Sequence, residues 1–246
     1  MLSLQFLVVI SLLFFSYDDR DCESNSTCTL SHTILDKTQV SNNSHREYFK
    51  KLSIKMPSLK PPKLSNVGAT FDSIPPSELT ADELAMTTNY SEIGEFFFQY
   101  LSMERATQEV LLSCLPRELL ELERPIPQWQ LSRSEKALMP HVDYNRITAI
   151  NFYYLVNDEI TVFFVNATKY AYFGRSIMFL ESWLTEAARF IAVTNDVMLL
   201  DVTVIHTVKS TSSDYTRISA SLGFQTLSYA RVLEVLRRNN FTVEAG

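Results

Sequence analysis

Glycine is scarce in this chain, with five among 246 residues. A fold that cradles phosphate on a glycine-rich backbone loop has few glycines to draw on here. Cysteine is also rare: Cys22, Cys28 and Cys114 are the full set. Three cysteines exclude a disulfide scaffold, and only Cys22 and Cys28 are close enough to suggest a small bridge. No cysteine spacing resembles a zinc site. Charge is sparse as well, with 20% Asp, Glu, Lys and Arg and a formal net charge of -6. That balance argues against a broad electrostatic grip on nucleic acid, although a local basic face is compatible with it. After the first residues there is no apolar run long enough for a transmembrane helix, which needs about 20 residues.

What is present is apolar material, 46% of the chain, enough for a substantial core in one large domain or two small ones. The uncharged run Leu2 to Phe15 stops abruptly at Ser16-Tyr17-Asp18-Asp19-Arg20-Asp21. It is short for a membrane span and suits the core of a secretory signal peptide. Residues 1–21 are therefore expected to be a signal and 22–246 the mature domain. Sequons begin at Asn25, Asn42, Asn89, Asn166 and Asn240, in keeping with a secreted or secretory-pathway, including vacuolar, protein.

Along the chain, His45 to Leu52 has helical character, and Ser58 to Pro76 reads as an exposed Pro- and Lys-rich connection. Glu95 to Leu101 is aromatic and predicts a strand. Glu104 to Leu122 carries leucines at helical spacing with a break at Pro116. Ile147 to Val156 fits helix or strand by composition. The segment opened by Gly174 places Ile177, Leu180, Trp183, Leu184, Ala187, Ala188 and Ile191 on most faces of a helix, which predicts a helix in the middle of the molecule.

That segment holds Glu186 and Arg189, an acid and a base three residues apart. Buried charges cost several kcal/mol each, on the order given by desolvation, unless paired. On a helix the two lie on one side and neutralise each other, either as a structural pair or at the floor of a cleft. The run GRSIMFLESWLTEAARF resembles the signature helix of ribosome-inactivating proteins, the rRNA N-glycosidases of the ricin A-chain type, single-chain form. Ser213 to Ser219, Asn145 to Leu155 and Thr87-Thr-Asn-Tyr90-Ser are similar to further family stretches in the same order.

The resemblance implies an α+β fold, with an N-terminal mixed-sheet part, a mostly α-helical part and the cleft between them. It implies hydrolytic removal of one adenine from large-subunit rRNA, with the ribosome as partner through an rRNA loop or ribosomal proteins. No lectin chain, cofactor or stable membrane association is implied. Glu186 would stabilise the ribosyl cation and Arg189 the departing purine. Tyr90 and Trp129 would stack on adenine, at about 1–3 kcal/mol per base. Tyr215 would floor the pocket, and Arg217 would bind phosphate or support structure. Trp129 and Tyr215 depart from the family's residues, and a glycan at Asn89 would obstruct the cleft, which keeps an inactive relative in defence or storage as an alternative. A second alternative, a GNAT acetyltransferase, rests on Gly174-Arg-Ser and Leu222-Gly-Phe, and is poorly served by so few glycines.

Overall fold

A computed structural model describes residues 47–62 and 96–243, apart from 135–138, 144, 158, 169, 174–175 and 211–214. All of them fall in one compact unit, Thr38–Gly246. The described residues form two six-stranded sheets in which every neighbouring pair is antiparallel. The first has the order β1 (Phe49–Lys51), β10 (Val197–Asp201), β5 (Thr148–Val156), β12 (Tyr215–Phe224), β3 (Ile126–Ser134), β2 (Phe96–Ser102). The second runs β7 (Ala171–Phe173), β8 (Ser176–Met178), β4 (His141–Val142), β11 (His206–Ser210), β6 (Glu159–Val165), β9 (Thr185–Ala192). Helices α1 (Arg105–Leu112), α2 (Arg117–Leu122) and α3 (Tyr229–Arg238) complete the described set of α-helices.

The expected α+β fold with a large helical part is therefore corrected to a mostly β architecture of two facing sheets. The predicted strand at Glu95 to Leu101 is β2, and the predicted helix with its break at Pro116 is the pair α1 and α2. The helical expectation for His45 to Leu52 gives way to β1.

Alternation along the central strands decides what the sheets enclose. On β12, Ile218, Ala220, Leu222 and Phe224 pack with Leu111, Leu119 and Val232 of the helices. The intervening Arg217, Ser219 and Ser221 are buried on the opposite face. Gln130 and Ser132 of β3 and Asn151 and Tyr153 of β5 repeat that pattern, while their neighbours Leu131, Ile150 and Phe152 join the helix-covered core. The first sheet thus turns an apolar face to the helices and a largely polar face toward the second sheet. A second apolar cluster, including Tyr153, Phe163, Phe190 and Met198, joins the two sheets.

The predicted signature helix is the clearest correction. Thr185 to Ala192 is strand β9, paired with β6, and before it Glu181–Trp183 is a single 3-10 turn. Phe190 and Ala192 are buried while Arg189 and Ile191 are exposed, a period of two and not of a helix turn. Ala, Glu, Leu and Arg favour helices in isolation, but the apolar strand β6, rich in Val and Phe, supplies a ladder that overrides that preference.

Candidate metal centre

Strand β4 begins with His141, and the alternation of a strand puts Asp143 on the same side two residues on. The ladder between β4 and β11 then sets His206 directly opposite His141, so the two imidazoles project together. Their ring centroids are 4.5 Å apart. The Nε2 atoms of His141 and His206 lie 3.4 and 4.0 Å from the same oxygen, Oδ1 of Asp143. One ligand atom from each of the three residues lies within 4.8 Å of the other two. The Asp143 backbone N–H donates to the Val202 carbonyl at 3.3 Å, which ties it to the turn leading into β11.

Both outer ring nitrogens are already committed. Nδ1 of His141 contacts the Met139 carbonyl and Nδ1 of His206 the Val204 carbonyl, each at 2.9 Å. A carbonyl only accepts, so each Nδ1 carries a proton and each Nε2 is turned toward Asp143. Metal-ligating histidines are oriented in the same way by a partner on the far nitrogen. Burial first, and then the neighbouring His141, push the His206 imidazole down to about 4, against the pull of Asp143. Burial by itself raises the Asp143 carboxyl, but the Arg146 guanidinium and the two imidazoles outweigh it and hold the group well below the ordinary carboxylate range. At neutral pH the cluster therefore offers a neutral His206 imidazole and an ionised carboxylate.

Those donors fit a divalent cation. Metal–ligand bonds of about 2.0–2.2 Å put neighbouring donors about 3 Å apart, so the cluster needs a contraction of no more than about 1–2 Å to close on an ion. Two imidazoles and one carboxylate on one side of an ion leave positions open for reactants, the arrangement typical of non-heme iron(II) oxygenases. Beyond the cluster, toward the first sheet, lie buried polar groups. Arg217 donates from Nη1 to Glu159 at 3.1 Å, and Ser132, its register partner on β3, has its hydroxyl buried with no hydrogen-bond partner among the described residues.

The residues expected from sequence to form a site are placed elsewhere. Glu186 and Arg189 sit at the exposed edge of the second sheet on β9, where a register shift against β6 leaves one extra residue and brings the two side chains together. Arg189 donates from Nε and Nη2 to the two Glu186 oxygens, both at 2.5 Å. They are not buried charges at the back of a cleft. Trp129 is buried on the helix-covered face of the first sheet, edge-on to Tyr154 at 5.4 Å between ring centroids. Tyr215 opens β12, and Arg217 is the buried partner of Glu159. Tyr90, Cys22 and Cys28 lie outside the described residues. The catalytic helix of an N-glycosidase is thus a strand in this fold, and the rRNA N-glycosidase expectation is corrected together with its inactive-relative form. The acetyltransferase alternative falls with them, since the segment after Gly174 is two short strands and a turn.

Sequence reasoning passed over His141, Asp143 and His206. The available signal was the His-x-Asp spacing in a chain with only four histidines. It became readable once the strand register supplied His206.

No family model and no curated relative matches the chain. Among solved structures it is similar to a prolyl-4-hydroxylase of Pseudomonas putida, 10% identical over 59% of this chain and 84% of that one, with a TM-score of 0.32. It is also similar to the ribosomal oxygenase YcfD of Escherichia coli, 14% identical over 68% of this chain and 50% of that one, TM-score 0.34. A vicilin from Solanum melongena follows at 11% identity, 64% and 44% coverage, TM-score 0.30. The chain spans about half the length of the YcfD chain. None of the three is a ribosome-inactivating protein. The likenesses are slight, and the functional reading below stands on the geometry of the cluster.

Proposed function

We propose that this protein is an oxygenase dependent on one divalent metal ion, iron(II) by donor type, held by His141, Asp143 and His206. The observation that carries the proposal is the convergence of two Nε2 atoms and one carboxylate oxygen, with both Nδ1 atoms tied back to carbonyls. Bound there, the metal would supply open positions at which dioxygen and substrate meet. The chain's own residues do the rest. The Met139 and Val204 carbonyls fix the imidazole orientations, and the polar wall on the first sheet gives a reactant hydrogen-bonding groups out of bulk water. Ribosomes are one substrate to assay, alongside small polar metabolites and peptides. The test is oxygen uptake by anaerobically purified protein on adding iron(II) and a substrate panel, beside His206→Ala. Uptake that needs both iron and His206 supports the proposal; iron-independent uptake, or none with any substrate, counts against it.

A second reading has an observation of its own. Arg146 already neutralises Asp143, which suits a purely structural ion cluster. Such a cluster would bind no metal, so equilibrium dialysis against manganese separates the two.

The proposal extends to the compartment. The apolar leader at Leu2 to Phe15 and the sequons support passage through the secretory route, and Asn166 and Asn240 are both exposed, with left-handed backbone φ of 57° and 59°. Expressed in a eukaryotic secretory host, the chain should lose mass on endoglycosidase treatment. Asn166→Gln and Asn240→Gln should each remove one glycan's share, and an unmodified chain would refute this part.

A further inference from the structure

Arg146 is three residues beyond Asp143 in the connection to β5, and its side chain is only 7% exposed. Its Nε donates to Asp143 Oδ2 at 2.6 Å, and its Nη1 donates to Ser221 Oγ at 2.6 Å. With the Gln130 amide turned so that its oxygen faces the guanidinium, that oxygen accepts from both Nη atoms, at 3.0 and 2.8 Å. Ser221 in turn donates to Asn151 Oδ1 at 2.7 Å. The aliphatic stem of Arg146 lies across Gly223, where a Cβ would come within 3.0 Å of Arg146 Cδ. The next residue anchors the same connection to β12, with the Ile147 N–H donating to the Phe224 carbonyl at 2.8 Å. Two strands of the first sheet, β3 and β12, therefore hold this one guanidinium directly, and β5 supports Ser221 through Asn151.

The two oxygens of Asp143 are consequently not equivalent. Oδ1 faces both histidine Nε2 atoms, and Oδ2 is the acceptor of Arg146. A carboxylate binds a cation through one oxygen or through both. Chelation through both would require Oδ2 to turn toward the ion and leave a buried guanidinium N–H without its acceptor, a costly exchange inside a protein.

We infer that Arg146 is a positioning residue that confines Asp143 to one-oxygen ligation through Oδ1, with Gly223 the residue that makes room for it. The inference rests on the metal reading of the cluster. In a six-coordinate site, three protein donors leave three positions for reactants, whereas a chelating Asp143 leaves two. Arg146 would thus preserve the third open position. Its positive charge also opposes cation binding, so the residue would trade metal affinity for coordination sites.

The test uses manganese(II) as the probe in the full chain. Relaxation of water protons counts the waters on the bound ion. The wild type should bind one manganese carrying three exchangeable waters. Arg146→Met keeps the stem over Gly223 and removes the donors, and should bind manganese at least as tightly with the inner-sphere relaxivity reduced to about two-thirds. Arg146→Lys should restore part of that loss. If Arg146→Met does not fold, Gly223→Ala, which displaces the stem, should lower the relaxivity in the same direction by a smaller factor. Relaxivity per bound manganese that is unchanged in the folded variants overturns the role of Arg146 while leaving the metal site standing. A wild type that binds no manganese overturns the metal reading and this inference together.

Discussion

Asp143 with Arg146 and Glu186 with Arg189 are the same chemical pair at the same sequence spacing, with Nε contacts of 2.6 and 2.5 Å. Their surroundings are opposite. Both side chains of the first pair are 7% exposed, whereas those of the second are 35% exposed for the acid and 59% for the base. An acid and an arginine three apart therefore say nothing about burial by themselves. In the first pair the chain leaves a two-residue strand and folds the arginine inward between the sheets; in the second, a bulge on an edge strand lets the pair lie over solvent. The first is the candidate for chemistry because two imidazoles share its carboxylate, and among the described residues no imidazole joins the second.

Loss of a metal ligand should have the largest effect. Asp143→Ala or His206→Ala is expected to lower divalent-metal affinity by more than about 100-fold, since even supporting residues outside the ligand set cost about 10–100-fold when removed. Equilibrium dialysis against manganese measures it, and an unchanged affinity would remove the distinction between the two pairs.

Breaking the buried pair comes next. Arg146→Ala leaves Asp143 buried without its cation, and the metal-free protein should lose about 3–5 kcal/mol in chemical denaturation. Glu123 is an intermediate case. Its carboxylate accepts from the backbone N–H groups of Gln225, Thr226 and Leu227 and from the Thr226 hydroxyl. Partial burial raises this group, but those hydrogen bonds, led by that from Thr226, outweigh it and lower it from 4.5. A depressed acid stabilises the fold above its unfolded value and loses that contribution as pH falls through the folded value. Glu123→Gln should therefore cost about 1 kcal/mol at neutral pH and flatten the decline in stability below pH 4.5. Denaturation midpoints at several pH values check both. At the bottom of the scale, Glu186→Gln with Arg189→Ala should leave the midpoint at neutral pH unmoved, because solvent already satisfies both groups.

The helices α1 and α2, with Pro116 between them, were legible from leucine spacing and the missing proline N–H, because those signals are local. Strand β2 was legible from its aromatic run. Thr185 to Ala192 was misread because its residues favour a helix in isolation and its apolar positions fill most of a helical circumference. The deciding partner, β6, lies about twenty residues earlier and makes no local mark. The same limitation hid the metal cluster. His141 and Asp143 are adjacent in the way a strand requires, but His206 joins them through a ladder between distant segments. Arg217 illustrates the point from another side: the resemblance left it to bind phosphate or support structure, and its buried partner Glu159 comes from another sheet.

The central claim is that three side chains from two strands hold one metal ion, and its most direct test is an anaerobic iron(II) titration of the wild type beside His141→Ala and His206→Ala, with bound metal counted per chain. One equivalent bound by the wild type and none by either variant is the expected result. No binding by the wild type, or the same binding in all three proteins, would contradict it.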